Sequence, residues 1–130
     1  MKLQDLVGVP YTTRGRDLAG ADCWGIILLA ADGLYGQRLP DYSQYRDSTN
    51  AEETAPLFEA RNDWQKVPLE NIWPGDVLVL RMLGVPMHAA IYIDNGKFLH
   101  TLGGRNSCID RISTQGWANR IEGVYRWVKS

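Results

Sequence analysis

The sequence predicts an α+β domain in which helices come first and a mostly antiparallel sheet follows. Three observations carry this. A strong apolar run opens at Cys23, directly behind a capping residue. After Pro68 the chain turns into short apolar segments separated by turn residues. Asp94-Asn95-Gly96 joins two of these segments as a hairpin. A length of 130 residues leaves room for one ordinary core, so residues 1–130 are expected to form a single domain.

Taken in order, residues 2–8 predict a short helix with Leu3, Leu6 and Val7 on one face, stopped by Gly8-Val9-Pro10-Tyr11. Thr12 to Gly20 is polar and rich in Gly and Arg, which predicts a loop. Asp22 caps a helix from Cys23 to about Tyr35, and Gly36 ends it. Leu39-Pro40-Asp41-Tyr42 is extended, and a second helix is expected from about Ala51 to Arg61. Pro74-Gly75-Asp76 is a turn before a strand over Val77–Met82. His88–Ile93 and Lys97–Thr101 are strands on either side of the hairpin turn, and Ser107–Arg111 is a fourth. A short helix over 113–119 and a closing strand over Gly123–Val128 complete the chain.

Composition excludes several function classes. Lys and Arg number 14 against 15 Asp and Glu, a net charge of −1. That balance gives no electrostatic case for nucleic acid or for an anionic membrane. Two cysteines are not a disulfide framework. The first residues lack the long apolar core of a secretory signal, and the apolar stretch Ile26–Ala31 is far too short to span a bilayer. The expectation is a protein made in the cytoplasm without a signal peptide.

The chemistry concentrates at Cys23. A thiol at a helix start is favoured as thiolate by the helix dipole and free N–H groups, and those N–H groups also suit an anion forming beside the sulfur. The alternative is a buried thiol acting as a small hydrophobe. The chain's two histidines, His88 and His100, shift that balance. They fall at roughly opposite positions across the Asn95-Gly96 hairpin, close enough for their imidazoles to bond. A thiol nucleophile, an imidazole that takes and returns its proton, and a third polar group that orients the imidazole make a nucleophilic triad. Cys23, His88 and His100 are therefore the candidate catalytic residues. Arg14 lies between Tyr11 and Cys23 and is a candidate contact for a substrate carboxylate, against the alternative of a solvated loop. A zinc site from Cys23, His88, His100 and Cys108 matches none of the common ligand spacings, so no metal and no cofactor are expected. Cys108 has the ordinary reading of a strand core residue.

The order Asp22-Cys23-Trp24-Gly25, then His88 leading Ile91-Tyr92-Ile93, then Phe98-Leu99-His100 resembles the NlpC/P60 cysteine peptidases, papain-like enzymes that cut peptides of the bacterial cell wall. Gly8-Val9-Pro10-Tyr11 and Trp73-Pro74-Gly75-Asp76 extend the resemblance over nearly the whole chain. Asp22-Cys23-Trp24-Gly25 and Leu39-Pro40-Asp41-Tyr42 resemble a narrower branch, the tail-assembly and tail-tip proteins of long-tailed bacteriophages. The resemblance implies a papain-like fold, Cys23 as nucleophile, His88 as base and then acid, and His100 as the orienting residue. It implies that Tyr11 assists at the oxyanion or the substrate and that Asp22 meets a substrate amine, with a pure helix cap as the even alternative for Asp22. It implies a peptidoglycan stem peptide as substrate, cut between D-glutamate and the diamino acid, with other phage tail proteins as partners and a virion tail as location. Many relatives carry Ser where this chain has Trp24. The indole is therefore read either as a gate on the substrate pocket or as a core residue. The competing functions are a structural tail-assembly protein without turnover and a related CHAP-type amidase, which His100 disfavours because the third residue there is usually an acid or amide.

Overall fold

The computed structural model describes residues 1–41, 64–82 and 85–128. The expected helix over 51–61 lies outside them, as does Tyr42. A 3-10 turn, Leu3–Leu6, opens the chain and buries Leu6. The segment 12–20, expected as loop, contains a small antiparallel ribbon of β1 (Arg16–Asp17) and β2 (Gly20–Ala21). Gly20 permits that ribbon, because a Cβ there would overlap the side-chain hydroxyl of Thr12.

Helix α1 runs Cys23–Tyr35, as the capping signals predict. Asp22 is extended and its carboxylate accepts a 2.8 Å bond from Gly25 N, the third residue of the helix. At the other end Gly36 takes φ 61°, and the Gly36 and Gln37 N–H groups close on the carbonyls of Asp32 and Ala31. Trp24, Ile26, Ile27, Ala30 and Ala31 form the buried face, at helical spacing.

The sheet has six antiparallel strands: β3 (Trp64–Val67), β4 (Val77–Met82), β5 (Val85–Asp94), β6 (Lys97–His100), β7 (Cys108–Arg111) and β8 (Ile121–Trp127). Their spatial order is β3-β8-β4-β5-β6-β7. Strand β3 is not signalled in the sequence, because Trp64-Gln65-Lys66-Val67, at the sheet edge, lacks a clean alternation: Gln65 and Lys66 are both exposed. Asn95 and Gly96 take φ 49° and 77° between the paired residues Asp94 and Lys97, which is the two-residue hairpin that the sequence predicts. The buried Asp76 fixes the Trp73-Pro74-Gly75-Asp76 turn by accepting from Trp73 N, and it holds Arg126 of β8 through two bonds of 2.8 and 2.9 Å. The short helix expected over 113–119 is a 3-10 turn at Trp117–Arg120.

Alternation along the strands produces two apolar layers. On one face Ala89, Ile91, Ile93 and Leu99 meet α1 through Trp24, Ile26, Ile27, Ala30 and Ala31. On the other face Leu78, Leu80, Ala90, Tyr92, Phe98 and Val124 surround Trp117. No helix among the described residues is long and apolar enough to cross a membrane.

Candidate active site

Cys23 is the first residue of α1 and is 6% exposed. The residues before it are held tightly. Asp22 is fully buried, and besides capping Gly25 N its carboxylate accepts from Arg16 Nη1 at 2.9 Å and from Arg14 N at 3.0 Å. Arg16 also binds Asp41 at 2.8 Å, tying the β1–β2 ribbon to the chain beyond α1. Gly25 is required by this packing, since a Cβ there would overlap the carbonyl oxygen of Gly15. The Asp-Cys-Trp-Gly motif thus has a structural reason at two of its four positions, Asp22 and Gly25.

Those contacts bear on two expectations. Asp22 is a buried cap and ion-pair partner, which accounts for the carboxylate as a helix cap. Trp24 is 3% exposed, stacks edge-on against Trp64 with ring centroids 6.2 Å apart, and donates from Nε1 to the carbonyl of Pro40 at 2.8 Å. That burial favours the core alternative, an indole on the inward face of α1 that completes the layer against the sheet. Arg14 is exposed, with φ 58°, and only its backbone N–H serves the cap. Tyr11 is half-buried and bridges to Ala21, two residues before Cys23. The N-terminal strap is anchored by Ser107, whose hydroxyl donates to Leu6 O at 2.6 Å and accepts from Val9 N at 2.8 Å.

The structure brings His88 and His100 together, though not as directly opposed partners. The β5–β6 register pairs Ile91 with Leu99, which sets His100 beside Ala90 and His88 two residues further on, along the same face. The contact is diagonal, a reach that rings can make. His88 Nε2 lies 2.8 Å from His100 Nδ1. Both rings rest in the Trp117 layer, with Trp117 edge-on to His100 at 5.1 Å between centroids. The body of α1 packs on the opposite face of the sheet from the Trp117 layer.

Asp110, on β7, is a residue that the sequence reading misses. Its Oδ2 lies 2.7 Å from His100 Nε2. The missed signal is register: β7 pairs Cys108 with His100 and Asp110 with Phe98, so Asp110 stands diagonal to His100 on the same face. The carboxylate fixes both tautomers in turn. An ionised carboxylate only accepts, so His100 carries its proton on Nε2. His100 Nδ1 is then an acceptor, and His88 Nε2 must donate to it. The lone pair of His88 is left on Nδ1, as a base requires. Burial and the neighbouring His100 lower the pKa of His88 to about 3. Burial also lowers that of His100, partly opposed by the bond to Asp110. Both imidazoles are neutral near neutral pH.

A thiol opening a helix that packs on an antiparallel sheet, with an oriented imidazole pair on that sheet, defines a papain-like cysteine-peptidase domain. The NlpC/P60 family matches residues 8–126, and the chain belongs to that family. It is 34% identical to the tail tip assembly protein K of Escherichia phage lambda over 122 residues, which cover 91% of this chain and 60% of that protein. It is 24% identical to the murein DD-endopeptidase MepS/murein LD-carboxypeptidase of Escherichia coli K12, over 94% of this chain and 57% of that enzyme. The chain thus spans somewhat over half the length of these curated relatives. Among solved structures, the NlpC/p60 domain of the peptidoglycan hydrolase SagA superposes with a TM-score of 0.65 at 21% identity, covering 95% of this chain and 91% of that one, which establishes the shared fold.

Proposed function

We propose that this chain is a thiol peptidase of peptidoglycan stem peptides, with Cys23 as nucleophile, His88 as base and acid, His100 as the orienting residue, and residues 1–130 as one catalytic domain. The observation that carries this is the Asp110–His100–His88 relay, which leaves a base lone pair on His88 Nδ1. In the reaction, the Cys23 thiol passes its proton to His88 Nδ1 while sulfur attacks the peptide carbonyl. The N–H groups at the start of α1, with Tyr11 beside them, face the oxyanion. Collapse breaks the C–N bond, and His88 returns the proton to the leaving amine. A water, deprotonated by His88, then attacks the thioester and releases the acid and the thiol. His88 is costly to protonate in its buried site, and the Asp110 carboxylate at the end of the relay offsets part of that cost. No cofactor takes part.

The substrate reading rests on family membership and on the murein activity in the name of the Escherichia coli relative. The tail reading, a virion tail with other tail proteins as partners, is supported by the name of the lambda relative. A structural tail protein without turnover is the second reading, and the word "assembly" in that same name favours it. Incubation with purified stem-peptide fragments, read by mass spectrometry, separates them. The peptidase reading expects a new amine and a new acid at one bond, with both absent in Cys23→Ala. Intact fragments with the folded wild-type protein would leave the structural reading.

A further inference from the structure

Cys108 is not used in the mechanism above, yet it faces the relay. Its Sγ lies 3.6 Å from His100 Nε2 and 3.8 Å from Asp110 Oδ2, and these two atoms are 2.7 Å apart. The three ligand-type atoms lie within 4.8 Å of one another. Tetrahedral zinc, with bonds of about 2.0–2.3 Å, spaces neighbouring N, O and S ligands by about 3.3–3.6 Å. Both sulfur separations are close to that value. Only the nitrogen–oxygen pair must open, by roughly half an ångström, once the proton between them leaves. Cys108 and Asp110 are half-buried rather than sealed, which gives an ion a way in. Thiolate, imidazole and carboxylate together suit zinc and not magnesium or calcium, which take oxygen ligands.

We propose that His100, Cys108 and Asp110 form an inhibitory site for a thiophilic divalent cation of the zinc type, with water as fourth ligand. Inhibition, the part that rests on the peptidase reading, follows from tautomers. Zinc on His100 Nε2 requires the ring proton on Nδ1. The proton shared with His88 then belongs to His100, His88 Nε2 becomes an acceptor, and the proton displaced from His100 Nε2 passes through solvent to His88 Nδ1. A protonated Nδ1 cannot take the thiol proton of Cys23. The histidines keep one proton each, and binding releases a single proton, from the Cys108 thiol.

Cobalt(II) reads the site without any activity. Cys23→Ala, which leaves Cys108 as the one thiol, is titrated with cobalt. The expected result is one equivalent bound with a thiolate-to-cobalt charge-transfer band, displaced by zinc and absent in Cys23→Ala/Cys108→Ser. No thiolate band, or the same band in the double variant, overturns the site. Activity reads the second half. Cys108→Ser should keep its basal turnover and need at least about tenfold more zinc for half inhibition, a difference of about 1.4 kcal/mol in binding. Equal zinc sensitivity in wild type and Cys108→Ser would place the ion at Cys23 and His88 and overturn the proposal. Cys108→Ala repeats both arms if the serine variant does not fold. If wild type cuts no substrate, the peptidase reading fails while the cobalt result still decides the site.

Discussion

His100 bonds His88 through Nδ1 at 2.8 Å and Asp110 through Nε2 at 2.7 Å, so a residue two strands away sets the tautomer of His88, the proposed base. The second bond is charge-assisted and should be the stronger. Asp110→Ala removes the acceptor that holds the Nε2 proton of His100. The base tautomer of His88 is then no longer selected. We expect kcat to fall about tenfold or more with KM little changed, below the full loss of a general base. Asp110→Glu should restore part of it, and the pH profile of Asp110→Ala should move. An unaltered kcat and pH profile would reduce Asp110 to a structural residue.

The order of importance along the relay is a separate expectation. His88→Ala removes the group that moves the proton and should abolish nearly all turnover, on the order of 10²–10⁴-fold. His100→Ala leaves that group present but unoriented and should retain more. Rates on one stem-peptide substrate test this. Equal loss in both would mean that orientation and proton transfer are inseparable here.

Thiol reactivity sets exposure against chemistry. Cys108 is the more exposed cysteine, but burial and the Asp110 carboxylate raise its pKa. Cys23 is more buried and opens a helix. Iodoacetamide at neutral pH should label Cys23 well before Cys108, as peptide mapping would show, and His88→Ala should slow labelling at Cys23 alone. Faster labelling of Cys108 would mean that accessibility governs and that Cys23 is an inert core thiol.

Local signals made much of this legible. Asp22 and Gly36 bracket α1 where they were expected, and Asn95-Gly96 forms its hairpin, because caps and two-residue turns are decided by a few neighbouring residues. The hairpin also gave the histidine pair, though it placed them opposite where the register makes them diagonal. Asp110 was not legible, because its role depends on the pairing of β6 with β7 across a long turn. Trp24 was ambiguous for a related reason. Its partners Pro40 and Trp64 are far along the chain, and nothing next to it in sequence shows which way the indole turns.

Acid stability follows from the histidines. The folded-state pKa of His88 is about 3, below its ordinary value of 6.5, and that of His100 is also lowered. Below pH 6.5 the unfolded chain takes up protons that the folded chain refuses. Stability should therefore be constant above that point and fall as the pH drops toward about 3, by a few kcal/mol in all. Thermal melts between about pH 7.5 and 4.5 should show Tm falling with acid. His88→Gln, which cannot titrate, should flatten the slope whatever its Tm at neutral pH. An equal slope in that variant would assign the acid sensitivity to other groups.

Trp24→Ser tests the burial of the indole against a role at the substrate pocket beside Cys23. The side chain is 3% exposed, and its removal takes away the edge-on contact with Trp64 and the bond to Pro40. Loss of a large buried aromatic costs about 3–5 kcal/mol. For a domain of this size each kcal/mol lowers Tm by several degrees, so the melt should fall by well over ten degrees, roughly. Cleavage should not rise, since no pocket wall is removed. Trp24→Phe keeps most of the apolar volume but not the Nε1–H, and should lose less. A serine variant that melts like wild type and cuts stem peptides faster would return the indole to the pocket, because only an exposed side chain can be deleted without leaving a cavity.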